Sequence, residues 1–257
     1  MKDLNYQKQS LITRTIIKAA VLMSEFGAES ILIEQTAQRL GKALGIDSVE
    51  ISLIPSAIVL TTLYDNQCVT TTRRVHHKPI NMSIVCDIQK IVIHMEKQRF
   101  DVTYLVKALK DIQPNYYNRW LVIFMVGIAC ASFSYLQGSD WAAFFITFLA
   151  SGTAMFVRQE LSKRRFVMII TFGITALVAT LIASISQINN ISSTPNIALA
   201  SSVLLLAPGF AFINSFLDSL KGYLSMGWGR WLEGILLTIA TSIGIILALA
   251  ILDIKGW

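Results

Sequence analysis

The stretch LLLAPGFAFINSFLDSLKG, residues 204–222, combines a hydrophobic run with the features that normally interrupt one. A proline and a glycine follow each other at Pro208 and Gly209, inside the run. Asn214 and Asp218 come four residues apart, so a helix places both on one face. Helix breaks and polar side chains are costly in a membrane. The stretch therefore indicates either a functional site or a kinked helix.

The proline changes the backbone if the segment 197–217 crosses a bilayer. Pro208 lacks an N–H and is expected to leave the carbonyl of Leu204 without its helical partner. Lipid supplies no replacement, so the break should lie against protein or beside a water-filled cavity. At ~1.5 Å per residue, Asn214 lies roughly 9 Å and Asp218 about 15 Å beyond the proline. The alternative is a proline-kinked helix whose aspartate lies at the membrane interface.

Charge and hydropathy divide the chain into two parts. Residues 1–119 contain 15 of the 22 Lys and Arg residues and 11 of the 16 Asp and Glu residues. The remainder holds long uncharged runs, and the mean hydropathy of the chain is +0.57. This predicts an α+β cytoplasmic domain (1–119) followed by an α-helical membrane domain of five transmembrane helices (120–257). The formal net charge of +6 is explained by topology, so nucleic acid is not expected as a partner.

The first domain shows helical and strand periodicities in turn. Apolar residues at helical spacing predict one helix that stops at Gly27 and a second helix capped by Ser30. Period-two patterns between residues 49 and 74 predict three strands, with a hairpin turn at Asp65-Asn66. Two further amphipathic helices follow. The expected unit is therefore helix-helix, three strands, helix-helix.

The first domain shows no catalytic constellation and no metal cluster. Adjacent His76 and His77 would point to opposite faces of a strand, which disfavours a shared metal ion. The three cysteines show no CxxC spacing and predict neither a disulfide framework nor a zinc site. No Walker A motif is present. No cofactor, metal or catalytic residue is expected, and the chain is not expected to be an enzyme.

Five apolar segments of the second domain are long enough to cross a bilayer. The predicted spans are Trp120–Gln137, Trp141–Val157, Phe166–Ser186, Ile197–Leu217 and Trp231–Leu252. Three of them begin with tryptophan, whose amphipathic ring prefers the membrane interface. Small residues within the first two spans predict close helix packing.

The connecting loops differ in charge and so predict the orientation. Residues 158–165 (RQELSKRR) carry four basic side chains. Lys221 and Arg230 lie in the loop between the fourth and fifth predicted spans, which is on the same side of the membrane. Residues 187–196 carry no charge. The positive-inside rule then places the N-terminal domain in the cytoplasm and the C-terminus outside.

Several motifs resemble one protein family along nearly the whole chain. They are FGAES (26–30), DSVEISLIPSAIVLTTLYDNQC (47–68), INM (80–82), IQPNYYNRWLV (112–122), TAMFVRQ (153–159), LLAPGFAFINSFLDSLKG (205–222) and the Gly-x-x-Arg-Trp of Gly227–Trp231. The chain resembles the threonine/serine exporter family, in its short, two-component form. The spacing of Pro-Gly, Asn, Asp and Gly in the sixth motif is the most specific part of this resemblance.

The resemblance implies a subunit of a bacterial inner-membrane secondary exporter. Its substrates would be threonine and serine or a succinate-like dicarboxylate. The chain lacks the second half of the fused exporters, which implies a second, shorter, YjjB-like membrane subunit as partner. The candidate substrate-binding or coupling residues, as a hypothesis, are Pro208, Gly209, Asn214, Asp218, Arg230, Thr153 and Arg158.

The residues themselves agree with transport. An odd number of spans leaves the termini on opposite sides, so a related partner would be inverted, a common transporter plan. A half-helix that begins after Gly209 turns its positive dipole end toward an anion. Asn214 would hydrogen-bond the substrate, and Asp218 would carry a coupling proton. The alternatives are a membrane-anchored enzyme and a regulatory or scaffolding membrane subunit.

Overall fold

The computed structural model describes residues 2–76, 78–98, 100–188 and 191–254; His77, Asn189 and Asn190 of the predictions above lie outside the described residues. The elements in chain order are α1 (Lys2–Glu25), α2 (Ser30–Ala43), β1 (Ser48–Ile54), β2 (Ala57–Tyr64), β3 (Gln67–Arg74), α3 (Met82–Lys97), α4 (Val102–Asp111), α5 (Arg119–Leu136), α6 (Trp141–Lys163), α7 (Met168–Ala183), α8 (Ile185–Ile188), α9 (Pro195–Ser202), a 3-10 turn (Leu204–Leu206), α10 (Gly209–Leu220) and α11 (Leu224–Ile251). The chain forms two compact units. We call them the N-terminal unit (Met1–Tyr116 and Ile213–Trp231) and the helical unit (Tyr117–Phe212 and Leu232–Trp257).

The N-terminal unit contains the predicted order of two helices, three strands and two helices. The strands form an antiparallel meander in the order β1-β2-β3. Asp65 and Asn66 both have positive φ, 48° and 60°, as the tight turn between β2 and β3 requires. Gly27 ends the first helical segment at φ 95°, a conformation that favours glycine. The element types predicted for this part of the sequence are confirmed.

The core of the N-terminal unit lies between the helices and one face of the sheet. Its largest fully buried side chains include Ile16, Ile33, Ile58, Ile88 and Leu105, one from each of five elements. Alternation along β2 sends Ile58, Leu60 and Thr62 inward, which is why a period-two pattern was visible in the sequence.

The second half of α10 and the first two turns of α11 belong to the N-terminal unit. Met226, on α11, is buried in the same core as Ile16 and Ile33. Ser215 of α10 donates a hydrogen bond to the carbonyl of Gly227 at 2.8 Å and so joins the two helices. Residues more than 100 positions after the end of α4 therefore complete this core. The proposed division at residue 119 stays a prediction for the domain boundary.

The helical unit is built on close helix contacts. Gly127 of α5 faces Phe148 of α6, where an added Cβ would lie 3.0 Å from the ring. Gly244 of α11 lies against the backbone of α7, where a Cβ added to it would be 2.2 Å from the carbonyl oxygen of Gly173. Small side chains let the backbones approach in the way that membrane helices favour. The close packing predicted from the small residues of the first two spans agrees with the contact of Gly127 with Phe148.

Among the described residues, four helices are long and apolar enough to cross a membrane: Arg119–Leu136, Trp141–Lys163, Met168–Ile188 and Leu224–Ile251. A fifth span results if the bent pair Pro195–Leu206 and Gly209–Leu220 crosses as one segment. The two halves of that pair meet at 57°. The chain is thus a multi-pass membrane protein with a broken helix, and the count of five spans remains a prediction.

The break in the fourth predicted span begins earlier than the proline. Helix α9 ends at Ser202, and the chain tightens into the 3-10 turn before Pro208. The carbonyl of Leu204 accepts a hydrogen bond from the N–H of Ala207 at 3.0 Å. The expectation that proline leaves this carbonyl unpaired is therefore wrong, because the i→i+3 bonds of the turn have already replaced the α-helical pattern.

Candidate functional site

The helical unit brings an arginine to the broken helix. Arg158, on α6, donates a hydrogen bond from Nη1 to the carbonyl oxygen of Leu205 at 3.2 Å. Its guanidinium also lies 4.7 Å from the ring centroid of Phe172, a cation–π contact. Guanidinium carries five N–H donors, and the described residues provide one hydrogen-bond acceptor and no carboxylate partner for this one. Donor capacity therefore remains at Arg158, beside the break.

The first turn of α10 lies directly after the break. Its opening N–H groups have no partner within the helix, and they carry the positive end of the helix dipole. Gly209 is exposed, and a Cβ added to it would meet nothing within 4 Å. Neither packing nor backbone conformation in this structure requires glycine there. Open space and N–H donors thus occur together at the start of α10.

Thr153, the other candidate from the TAMFVRQ motif, is not brought to the break. Its side chain is exposed, and its hydroxyl donates to the carbonyls of Leu149 and Ala150 in its own helix, at 2.8 and 3.0 Å. Arg158 lies five residues further along α6 and is partly buried. The structure therefore separates the two candidates by environment.

Asn214 lies on α10 with only 5% of its surface exposed. The Nδ2 atom is buried and has no hydrogen-bond partner among the described residues. An unpaired buried amide costs about 1–3 kcal/mol, which makes such a group unusual in a folded protein. Asn214 thus has a free donor in a buried position, one helical turn before Asp218.

Asp218 and Arg230, predicted as separate candidates, form one buried cluster in the N-terminal unit. Arg230 Nη1 lies 2.7 Å from Asp218 Oδ2, and the two side chains are 13% and 0% exposed. Asp218 Oδ1 accepts the backbone N–H of Ser30 at 3.1 Å. Arg230 Nη2 donates to the carbonyl oxygen of Ala28 at 2.6 Å. Both ends of the ion pair therefore bind the backbone of the turn between α1 and α2.

Two further polar contacts surround this cluster. Lys221 Nζ lies 2.6 Å from Glu29 Oε2, an ion pair about one-third exposed on each side. The hydroxyl of Tyr223 donates to the carboxylate of Glu34. Burial raises the pKa of Tyr223 above its usual value, and the hydrogen bond to Glu34 raises it further. The tyrosine therefore stays protonated as a donor at physiological pH.

Two glycines allow close packing between segments in this part of the N-terminal unit. A Cβ at Gly227 would lie 2.2 Å from Ser219 Oγ, and a Cβ at Gly229 would lie 2.4 Å from Pro55 Cγ. Gly227 thus permits the contact of α11 with α10, and Gly229 permits its contact with the turn between β1 and β2. The Gly-x-x-Arg-Trp motif consequently serves close packing as well as charge.

Sequence reasoning missed the backbone partners of Asp218 and assigned Ser30 the wrong role. Glu29 occupies the N-cap position of α2 and makes no side-chain cap, and Ser30 is the first helical residue. The Ser30 hydroxyl is buried without a partner among the described residues. The carboxylate of Asp218 takes the place of the cap, 188 positions away. The signal in the sequence was the FGAES motif, whose last residue, Ser30, supplies this backbone N–H.

The described part of the chain contains no group of three or more His, Cys, Asp or Glu residues that could hold a metal ion. Several apolar helices, one of them broken beside a partly buried arginine, define instead a multi-pass membrane transport protein.

The chain belongs to the threonine/serine exporter family: residues 14–252 match the family model described as "Putative threonine/serine exporter". It is 45% identical over 252 residues to the "Probable succinate transporter subunit YjjP" of Escherichia coli K12, with 98% of each chain covered. It is 43% identical over 251 residues to the protein of the same description from Klebsiella aerogenes, with 97% of each chain covered.

A more distant relative is the "Probable threonine/serine exporter" of Mycobacterium tuberculosis, at 22% identity over 256 residues. That match covers 96% of this chain and 47% of the mycobacterial protein. No solved structure matches the chain. The family resemblance stated from the sequence motifs is confirmed.

Proposed function

We propose that this chain is a subunit of a bacterial inner-membrane secondary exporter for small carboxylates. The observation that carries the proposal is the contact of Arg158 with the broken helix, next to the N–H groups at the start of α10 that lack a partner within the helix. A guanidinium with spare donors and a helix N-terminus are both suited to a carboxylate. A succinate-like dicarboxylate is the first candidate, and threonine and serine are the second.

In this proposal the substrate carboxylate binds at the break. Arg158 supplies charge and hydrogen bonds, and the exposed Gly209, directly after Pro208, allows close approach to the backbone. Asn214, whose buried amide has a donor without a partner among the described residues, is retained as a separate candidate for substrate binding. Asp218 is retained as the candidate for a coupling proton. The roles of Arg158 and Asn214 rest on donor capacity and burial. Asp218 accepts hydrogen bonds and pairs with Arg230, so its proton role rests only on its place in the motif of residues 205–222.

The proposal includes a second membrane subunit. The relatives from Escherichia coli and Klebsiella aerogenes are named as subunits, and the mycobacterial relative is about twice as long as the part that matches. A chain with five spans, its N-terminus in the cytoplasm and its C-terminus outside, would pair with an inverted YjjB-like partner. Alone, the chain is expected to give no efflux.

The test is efflux from vesicles loaded with succinate, threonine or serine, containing this chain with and without the partner. Arg158→Gln keeps a donor for the Leu205 carbonyl and removes the charge. Loss of a charged hydrogen bond is worth about 1.5–3 kcal/mol, so apparent affinity should fall roughly 10- to 150-fold. Lys163→Gln is the matched control, because Lys163 is an exposed cation on the same helix.

Gly209→Ala adds a second, independent variant. The added methyl group has open space, so folding and expression should remain normal. Efflux should fall if substrate approaches the backbone at this point. Robust efflux by the single chain would refute the two-subunit proposal. Wild-type affinity in Arg158→Gln would remove the break from the binding site.

A further inference from the structure

The turn between α1 and α2, residues Phe26–Ser30, is held rigidly within the N-terminal unit. The N–H of Ala28 donates to the carbonyl of Met23 at 2.9 Å, and Ala28 and Ser30 are almost fully buried. On one side, the N–H of Asn81 donates to the carbonyl of Phe26 at 3.2 Å. The segment after β3 therefore braces the turn, which offers a fixed surface to anything bound on its other side.

The other side of the turn binds the ion pair of α10 and α11. Asp218 accepts the N–H of Ser30, and Arg230 donates to the carbonyl of Ala28. The two charged groups also contact each other at 2.7 Å. Three bonds thus form a closed ring from the turn, through both helices, back to the turn. The position of the buried Asp218 carboxylate is therefore set by the N–H of Ser30 and by Arg230, which is itself bonded to the carbonyl of Ala28.

An independent contact supports the same arrangement. Gly229 lies so close to Pro55 that a side chain would not fit between them. The IPS sequence of the turn after β1 and the Gly-x-x-Arg-Trp motif of α11 therefore meet through packing, without involving Asp218. Two separate turns of the N-terminal unit hold the first part of α11.

We infer that the Phe26–Ser30 turn is a positioning element: it fixes Asp218 and Arg230 on the second half of the broken helix and at the start of α11. The N-terminal unit is then a working part of the transporter, because it sets the conformation of the segment that continues from the break. Ser30 acts through its backbone N–H, and Asp218 acts as the cap of α2. The consequence for transport rests on the proposed function, whereas the positioning itself does not.

One pair of substitutions breaks the contact between Asp218 and the N–H of Ser30, since in the proline variant the ring carbon Cδ replaces the amide hydrogen and displaces the carboxylate. Ser30→Pro removes this donor at the first position of α2, where helices tolerate proline because the N–H has no helical partner. Glu29 already has φ −63° and ψ 148°, the extended conformation that a following proline requires. Ser30→Ala is the matched control, since it keeps the N–H and removes only a hydroxyl that lacks a partner among the described residues.

The first measurement is hydrogen exchange of the full-length chain in lipid nanodiscs. Ser30→Pro should speed exchange in residues 213–222 roughly 10-fold or more, the effect expected for one charged hydrogen bond. Exchange in β2 should stay unchanged, and Ser30→Ala should match the wild type throughout. Acceleration confined to α2 would show that the proline merely loosens its own helix, and it would overturn the inference, as would no acceleration at all.

The second measurement is efflux with the partner subunit. Ser30→Pro should lower the maximal rate at least about 10-fold while the half-saturating substrate concentration changes much less, because Arg158 and the first turn of α10 lie outside the loosened residues 213–222. A normal maximal rate despite faster exchange would refute a role in transport. If the wild type exports none of the tested carboxylates, the proposed function fails, and the exchange result alone still decides the positioning.

Discussion

The ion pair of Asp218 and Arg230 makes a large and specific prediction for stability. Asp218 is completely buried, so Arg230→Gln leaves a carboxylate without its charged partner. Breaking a buried pair in this way costs about 3–5 kcal/mol. For a chain of this size, 1 kcal/mol shifts the unfolding temperature by about 2–4 °C, so the loss should be roughly 6–20 °C.

Removing both charges should cost much less than removing one. The double variant Asp218→Asn/Arg230→Gln has amide groups in both positions and no isolated charge, and it should recover most of the lost stability. Lys221→Gln is the control, because the Lys221–Glu29 pair is about one-third exposed and nearby. An ion pair at that exposure is worth about 1 kcal/mol or less.

The assay is thermal unfolding of the detergent-solubilised protein, followed by the loss of the monodisperse peak in size-exclusion chromatography. The expected order of unfolding temperatures is wild type and Lys221→Gln highest, the double variant intermediate, and Arg230→Gln lowest. The reasoning would be refuted by an Arg230→Gln variant within about 3 °C of wild type, or by a double variant as unstable as the single one.

Three other predictions concern transport, topology and pH. Asn214→Ala should weaken apparent substrate affinity roughly 10- to 150-fold if its amide binds a charged group. Asp218→Asn should abolish proton-driven net efflux while sparing exchange, with both rates measured per folded protein because this variant also breaks the buried ion pair with Arg230. Wild-type efflux in both variants would exclude the two residues from the mechanism. A cysteine at Ser193, in a background without native thiols, should react with an impermeant reagent from outside intact cells, and labelling only after lysis would contradict the orientation. The hydrogen bond from Ser192 lowers the pKa of Asp140 to about 2, with the N–H groups of Ala143 and Ser193 acting in the same direction. This carboxylate stabilises the fold above its unfolded pKa of about 4, and the contribution disappears as the pH falls toward 2. Asp140→Ala should therefore lower stability at neutral pH by about 1 kcal/mol and weaken the acid dependence below pH 4, as measured by thermal unfolding across pH.

Local patterns were sufficient for most of the fold. The helices and strands of the N-terminal unit were predictable because apolar side chains repeat with the period of each element, and Gly27 marks a position where the backbone needs positive φ. The membrane helices followed from length and hydropathy, which depend only on neighbouring residues. Two helices are longer than the predicted spans, because a helix can extend beyond its apolar part: α6 continues to Lys163, and α11 begins at Leu224.

The sequence also marked several residues that lie in the two candidate sites. Pro208 and Gly209 marked a break, and the charges of Asp218 and Arg230 stood out beside long apolar runs. The backbone partners of Asp218 and Arg230 could not be predicted from the sequence, for a physical reason. The Asp218 carboxylate binds a backbone N–H 188 positions away, and backbone groups are identical in every residue apart from proline, so no side chain announces the contact.

Tertiary structure alone decided how the polar groups are satisfied. The carbonyl of Leu204, which the proline was expected to leave without a partner, accepts the N–H of Ala207 in the 3-10 turn. The next carbonyl, that of Leu205, accepts a hydrogen bond from Arg158. Ser30 appeared to be a helix cap by its side chain, yet Asp218 provides the cap through space. The sequence by itself determines which residues need burial or a partner, because that need is a property of each side chain and its neighbours. Which partner meets the need depends on the approach of distant segments, and only the folded chain fixes that.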